Sequence, residues 1–357
     1  MTACLSPIRL REALRIARIA QASDVHLSAG LPLTLRVDGS LEPQAGTALS
    51  SAEIDEIVEQ CFEEAARRHL QRAGDATTAF DDGTGAVRIH AFRTSRKVAL
   101  AVRVLALEVP ALESLNLPPA IAELAQRKHG LIILSGPTGS GKSTALAAIV
   151  DRINRTAAKH IITIEEPIEY RHVSRKSVIS QREVGVDAES FASALIGALR
   201  SDPDIILLGE MRDRLTMGAA LTAAETGHLV LATMHTGSAA ESVDRIVGSF
   251  EGAAQDEVRT QLAGALVAVV CLRLVRRNGR TGRRVAAEIL VASDAVRSAI
   301  RESKAHHLRN IIATSRSNGM QTLEAHLNDL IFRGEISYEA ACEATDRHGV
   351  LRNAAVT

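Results

Sequence analysis

The sequence predicts an α/β protein of two domains, in which a small α+β domain precedes a larger parallel α/β core. From residue 119 onward, short apolar runs alternate with stretches of helical spacing, which is typical of a parallel sheet covered by helices. A glycine-rich loop lies between one such run and the helix that follows it. A stretch with three prolines, residues 108–119, has the composition of a linker. We therefore expect an N-terminal domain at 1–103, a linker at 104–119 and a core at 120–357.

The N-terminal part carries the patterns of a sheet with helices. Residues 7–19 have helical spacing, and residues 51–71 predict a second helix that Ser51 caps. The dipeptide Asp38-Gly39 is a hairpin signal. Strands are predicted at residues 25–27 and 33–37, with two more inside residues 87–105.

The core alternates strands with helices, and the part after residue 252 is mostly helical in pattern. One hairpin is predicted there, with Asn278-Gly279 between strands at 272–276 and 284–290. Core strands are predicted at 131–135, 160–165, 204–209 and 228–234, and helices near 143–156, 190–200, 214–226 and 238–249.

Composition and charge disfavour several classes of function. Lys plus Arg equals Asp plus Glu, with 42 of each, so the chain has no general attraction to nucleic acid or anionic membranes. Aromatic residues make up 2% and Trp is absent, which leaves little for base stacking. An arginine cluster within residues 276–284 could bind nucleic acid, but its Asn-Gly centre favours a solvated hairpin. We expect no nucleic-acid partner.

Cysteines and apolar runs disfavour a zinc site and a membrane span. The four cysteines, Cys4, Cys61, Cys271 and Cys342, are scattered without any CxxC pair. Charges interrupt the N-terminal apolar residues, so no signal peptide is expected. The longest apolar run, residues 265–272, is too short to span a bilayer. Contact with a membrane would therefore require a partner.

The glycine-rich loop has the Walker A pattern Gly-x4-Gly-Lys-Ser/Thr in a strand–loop–helix context. The glycines allow backbone N–H groups to surround phosphate oxygens, and the helix N-terminus adds positive potential. Lys142 can reach the β- and γ-phosphates, and Ser143 can coordinate Mg²⁺. We therefore expect ATP and Mg²⁺ as cofactors. The predicted nucleotide-binding residues of the loop are Gly136, Pro137, Thr138, Gly139, Ser140, Gly141, Lys142, Ser143 and Thr144.

Acidic residues follow two of the predicted core strands. Glu165 and Glu166 stand just before a proline that stops their strand. One of them could orient and deprotonate an attacking water, and both could hold Mg²⁺ through waters. Surface acids at a strand end are the alternative. Glu210 ends an apolar strand in a Walker B pattern and would face Mg²⁺ or water. Arg212 and Asp213 after it are expected to form a structural ion pair.

Histidines flank the last of the predicted core strands. His228 and His235 fall at opposite ends of this strand. Thr233 and His235 could sense the γ-phosphate from the strand tip. Packing or helix capping is an equally good explanation for either histidine.

These four segments, residues 136–144, 162–170, 204–213 and 224–236, together resemble the secretion ATPases of type IV pili and type II secretion. Among them, the chain is most similar to the twitching-motility retraction ATPases of type IV pili. Further segments that match are residues 22–32, 36–39, 181–185, 299–301 and 319–323. Assembly ATPases of the same superfamily usually carry a longer N-terminal region and a four-cysteine zinc motif, so the resemblance favours retraction over assembly.

The resemblance implies a PAS-like N-terminal domain, a RecA-like P-loop core with a helical C-terminal extension, and a homo-hexameric ring. Arg88, Arg96 and Arg103 are similar to family positions that contact the nucleotide or the neighbouring subunit. An arginine supplied across an interface stabilises charge in phosphoryl transfer. Each of the three is equally compatible with a solvated strand residue.

The function expected from this resemblance is a cytoplasmic, Mg²⁺-dependent ATPase that powers pilus retraction. It would lie at the inner membrane through a pilus platform protein. Glu165 is the expected base, supported by Glu210, with Glu166 and His235 as further catalytic candidates. Two alternatives remain. One is a pilus assembly or type II secretion ATPase of the same fold, and the other is a regulatory ATP-binding subunit that modulates another motor.

Overall fold

The computed structural model describes residues 8–81, 85–104, 108–279 and 281–352. The chain divides into two compact units, Met1–Glu108 and Val109–Thr357. No helix within the described ranges is long and apolar enough to cross a membrane.

The N-terminal unit is a six-stranded antiparallel sheet in the order β3-β2-β1-β6-β5-β4. Alternate side chains of its strands, such as Val25, Ile89 and Val102, are fully buried with apolar residues of α1 and α2. This PAS-like arrangement agrees with the expected fold class. Its elements are α1 (Ile8–Ile19), β1 (Asp24–Ser28), β2 (Thr34–Val37), β3 (Ser40–Pro43), α2 (Ser51–Cys61), α3 (Glu64–Ala73), β4 (Asp75–Asp81), β5 (Ala86–Thr94) and β6 (Lys97–Val104).

The predicted helix over residues 51–71 is in fact two helices. Phe62 and Glu63 adopt extended backbone between α2 and α3, and the side chain of Phe62 is 3% exposed in the unit's core. The break thus lets Phe62 join the core. The cap was also misplaced by one residue, because Ser50 is the N-cap and forms a capping box with Glu53.

The second unit is built on a seven-stranded sheet in the order β13-β12-β7-β11-β10-β8-β9. Its strands are parallel except β13, which pairs antiparallel with β12. Its elements are α4 (Pro119–Leu124), β7 (Gly130–Ser135), α5 (Lys142–Thr156), β8 (His160–Glu165), β9 (Val178–Glu183), α6 (Phe191–Ala198), β10 (Ile205–Leu208), α7 (Arg214–Glu225), β11 (Leu229–Met234), α8 (Ala239–Gly248), α9 (Ala254–Ala265), β12 (Leu266–Arg276), β13 (Arg283–Val291), α10 (Asp294–Arg301), α11 (Leu308–Thr314), α12 (Leu323–Phe332) and α13 (Tyr338–Ala344).

Both faces of this sheet are covered by helices, which explains its continuous apolar strands. On β7, Leu131 and Ile133 pack with residues of α6 to α9, whereas Ile132 and Leu134 pack with residues of α5. Strands β7, β11, β10 and β8 are neighbours with aligned register, so their carboxyl ends meet at one edge. This is the RecA-like core that the fold class anticipated, and that edge is where an open α/β sheet places a ligand.

The expectation of a mostly helical segment after residue 252 was wrong in part. All of the apolar run 265–272 except its first residue belongs to β12, which pairs with β7 beside the glycine-rich loop. The predicted hairpin is present, but its strands β12 and β13 are longer than expected. Residues 178–183 form edge strand β9, which the sequence pattern did not reveal.

Candidate functional site

The glycine-rich loop joins β7 to α5 and needs glycine where it leaves the strand. Gly136 has a φ of 138°, and a Cβ there would collide with the carbonyl oxygen of Leu272 and lie 2.7 Å from Ser140 Oγ. Gly141 has a φ of 93° and is the N-cap of α5, where no side chain caps the helix. The first amides of α5 are therefore available to an anion.

Lys142 is buried at the start of α5 and points back over its own loop. Its Nζ donates to the carbonyl oxygens of Gly136, at 2.8 Å, and Pro137, at 3.0 Å. Burial lowers the pKa of Lys142, while the charges of Glu210 and Glu169 oppose that shift. The ammonium is thus held by the loop carbonyl oxygens, within electrostatic reach of both acids.

The hydroxyl groups of the loop differ in their surroundings. Ser140 Oγ is buried and has no hydrogen-bond partner among the described residues, and Ser143 is exposed. Thr144 Oγ1 lies 2.9 Å from Tyr170 Oη. An uncapped helix N-terminus, a buried ammonium and an orphaned hydroxyl together fit a phosphate group. Ser143 and Glu210 supply the oxygen donors that Mg²⁺ prefers.

Glu165 ends β8 and is held on one carboxylate oxygen. Thr163 Oγ1 donates to Glu165 Oε1 at 2.7 Å, and Gln181 Nε2 donates to the same atom at 3.2 Å. Burial raises the pKa of Glu165, although these hydrogen bonds lower it again in part. The carboxylate is thus fixed and largely removed from solvent, which suits a general base.

Glu210 follows β10 and is paired with Arg212 and His235. Arg212 Nη2 lies 2.7 Å from its Oε2, and His235 Nε2 lies 3.4 Å from its Oε1. Burial opposes ionisation of Glu210, but Arg212 and His235 outweigh it and hold its pKa below the usual value. Glu166, by contrast, is exposed, and its Oε2 lies 3.6 Å from Nη1 of Arg212.

The expected ion pair between Arg212 and Asp213 is not formed. Asp213 is the N-cap of α7, where it accepts from the backbone N–H and the hydroxyl of Thr216 at 2.9 and 2.8 Å. Helix capping separates the two side chains, because Asp213 turns to the helix and Arg212 to the site.

The two histidines around β11 lie at opposite ends of the strand, as predicted. His235 joins the site through Glu210. His228 lies just before the amino-terminal end of β11, where its Nδ1 is 2.9 Å from the carbonyl oxygen of Ala223 in α7. Thr233 donates its hydroxyl hydrogen to the carbonyl oxygen of Gly209, so it links β11 to the loop after β10.

The three candidate arginines of the N-terminal unit do not form one group. Arg88 and Arg103 are directly opposite each other on β5 and β6, and Arg103 Nε donates to Asp24 at 3.0 Å. Arg96 is exposed in the turn between these strands. Strand β5 runs six residues beyond Arg88 before the turn begins, which places the turn about 20 Å away along the strand. Arg96 and the pair Arg88–Arg103 therefore lie at different positions on the N-terminal unit.

Several side chains of the site were missed by the motif analysis. Tyr170 and Thr163 fall within the acidic segment, residues 162–170, but neither hydroxyl carries a distinctive spacing signal. Gln181 lies on β9, which the pattern did not predict as a strand. Arg273 of β12 donates to the carbonyl oxygens of Leu272 and Gly237 next to the loop. The contacts of Gln181 and Arg273 depend on which strands become neighbours.

Comparison with known proteins gives a match along almost the whole chain. The family model for type II/IV secretion system proteins matches residues 8–343. The chain belongs to this family. The type IV pilus retraction ATPase PilT of Pseudomonas aeruginosa is 40% identical over 94% of this chain and 97% of its own length. A twitching motility protein of Neisseria gonorrhoeae is 42% identical over 86% of this chain and 82% of its own.

Solved structures of this secretion ATPase family share the fold. A crystal structure of the pilus retraction motor PilT with bound ADP aligns with a TM-score of 0.81 and 40% identity. The alignment covers 93% of this chain and 96% of that one. The resemblance drawn from the four sequence segments is therefore confirmed, and nucleotide binding at the family level is supported.

Proposed function

We propose that this chain is an ATPase motor that powers type IV pilus retraction. The observation that carries the proposal is the near full-length match, at 40% identity, to a retraction ATPase in both sequence and solved structure. The Walker A geometry and the acids gathered at the same sheet edge support hydrolysis as the source of energy.

The loop and α5 would bind the phosphates of ATP. Lys142 would exchange the carbonyl oxygens of Gly136 and Pro137 for phosphate oxygens, since charge-assisted hydrogen bonds to anions are stronger. The free N–H groups at the start of α5 and Ser140 Oγ would complete the cradle. Ser143 and Glu210 would hold Mg²⁺, which neutralises charge on the phosphates when bound.

Glu165 is the base that we assign, and Glu210 supports it. A base must keep its carboxylate in a fixed place near the attacking water, and Glu165 is partly buried and doubly hydrogen-bonded. Glu166 is exposed beside Arg212, so its geometry is less suited to that role. His235 would influence the reaction through the charge of Glu210 rather than by taking the proton from water.

We further propose that the working unit is a homo-hexamer at the cytoplasmic side of the inner membrane, attached through a pilus platform protein. Lys142 is the one cationic residue of the Walker A segment, residues 136–144, whereas phosphoryl transfer commonly uses a second cation. Arginines of the N-terminal unit, Arg88, Arg96 or Arg103, would supply it from a neighbouring subunit. A mixed ring, described in the Discussion, tests this requirement.

Deletion of the gene distinguishes retraction from assembly. If the chain retracts pili, the deletion strain should carry abundant surface pili and fail to twitch. A strain without pili would contradict the proposal and indicate the assembly alternative. Purified protein should hydrolyse ATP with Mg²⁺, and absence of turnover in a folded, nucleotide-binding protein would indicate the regulatory alternative.

A further inference from the structure

Two donors from neighbouring strands converge on one atom of Glu165. Thr163 of β8 and Gln181 of β9 are direct cross-strand partners. Both donate to Glu165 Oε1, the hydroxyl at 2.7 Å and the amide at 3.2 Å. We propose that Thr163 and Gln181 are positioning residues that fix the Glu165 carboxylate for water activation. This inference rests on the function proposed above.

Gln181 also ties down the chain that follows Glu165. Its Nε2 donates to the carbonyl oxygen of Tyr170 at 2.9 Å, and its Oε1 accepts from the backbone N–H of His172 at 2.8 Å. One side chain on the edge strand therefore holds both the carboxylate and the loop that leaves it. The loop reaches the Walker A segment, because Tyr170 Oη lies 2.9 Å from Thr144 Oγ1.

The arrangement restricts where the carboxylate can be. Thr163 is completely buried, and its β-branched side chain has few rotamers, so its hydroxyl is a rigid donor. With two donors on Oε1, rotation of the Glu165 side chain would break two charge-assisted hydrogen bonds. A base that is already correctly oriented when the substrate binds is less often misplaced. It therefore keeps more of its contribution to the reaction rate.

The most direct experimental test removes the hydroxyl group of Thr163 and keeps the shape of its side chain. Thr163→Val is nearly isosteric and should lower kcat for Mg-ATP by about ten- to a hundredfold, since a hydrogen bond to a charged group is lost. KM and ADP affinity should change little, because Thr163 does not belong to the phosphate cradle. Thr163→Ser keeps the hydroxyl and should restore most of the turnover. Gln181→Leu, on the edge strand, should also lower kcat and serves if Thr163→Val does not fold.

A double-mutant comparison separates positioning from general damage. In a Glu165→Gln background, where the base is already gone, Thr163→Val should cause no further loss in single-turnover rate. A further loss of the same size as in the wild-type background would overturn the inference. So would an unchanged kcat in both Thr163→Val and Gln181→Leu.

Thr216→Val is a matched control. Thr216 is also fully buried and also donates to a carboxylate, that of Asp213, but at the N-terminus of α7. It should lower thermal stability with little effect on kcat. An equal kcat loss in this control would contradict a specific role for Thr163. If Glu165→Gln itself turns over like wild type, both the base assignment and the positioning role fail. If Glu165→Gln loses turnover but Thr163→Val and Gln181→Leu keep the wild-type kcat, the positioning role fails and the base assignment stands.

Discussion

Arg212 Nη2 lies 2.7 Å from Oε2 of Glu210, which joins the acid after β10 to a cation in the same short loop. The guanidinium is 60% exposed, whereas the carboxylate is 16% exposed. The exposed cation therefore supports the charge of a half-buried acid that we expect to hold Mg²⁺.

Loss of Arg212 should change the pH dependence of turnover. Burial raises the pKa of Glu210, and Arg212 and His235 together more than reverse that effect. In Arg212→Gln the pKa of Glu210 should rise, so its carboxylate becomes protonated at a higher pH. Turnover should then fall at a higher pH on the acidic side, with a greater need for Mg²⁺. Arg214→Gln is the control, because that guanidinium lies over the ring of Phe250 instead. If turnover falls at the same acidic pH in Arg212→Gln and in wild type, the role given to Arg212 is contradicted.

Substitutions of the two adjacent acids, Glu165 and Glu166, should differ sharply in their effect on ATP turnover. Glu165→Gln should lower kcat by about a hundredfold or more while ATP still binds, because a general base is lost. Glu166→Gln should keep most of the turnover, since its carboxylate is exposed beside Arg212. Steady-state hydrolysis and nucleotide binding measured on both variants check this. The opposite order of effects would show that the base is Glu166.

The break between α2 and α3 gives a stability prediction. Phe62→Ala should destabilise the N-terminal unit by about 3–5 kcal/mol, because a buried aromatic ring is lost from its core. Phe332→Ala removes a ring that is 87% exposed and should have little effect. Denaturant unfolding of both variants provides the comparison. Equal midpoints would mean that Phe62 is not a core residue.

The arginine proposal can be tested by mixing subunits. Lys142→Ala and a double Arg88→Ala, Arg103→Ala variant should each be inactive alone. If the arginines act across an interface, mixed rings contain some sites with intact Lys142 facing intact arginines, so part of the ATPase activity returns. No recovery would place the arginines in their own subunit's site. Arg96→Ala should be mixed separately, because its turn lies away from the other two.

Much of the site was predictable because its signals are local in sequence. The Walker A loop, and the acids that follow β8 and β10, are each defined by a few consecutive residues at a strand end. Edge strand β9 was missed because its sequence, VISQRE, does not alternate between apolar and polar residues. The first half of strand β12 was missed, and only residues 272–276 were predicted, because a short apolar run fits a buried helix equally well.

Partnerships between distant residues could not be predicted in this way. Gln181 reaches Glu165 only because β9 pairs with β8, and that pairing is not written in either segment. The mistaken ion pair of Arg212 with Asp213 has a similar origin. Adjacent charges suggested a pair, but helix α7 takes Asp213 as its cap.

Imaging of single pili in a complemented deletion strain tests the central claim most directly. Wild-type protein should restore retraction events and twitching. Lys142→Ala should be produced at normal levels yet leave pili extended, because its ATP turnover should fall by at least about a hundredfold. Retraction at the wild-type rate in the Lys142→Ala strain, or a deletion strain that lacks pili altogether, would contradict the account.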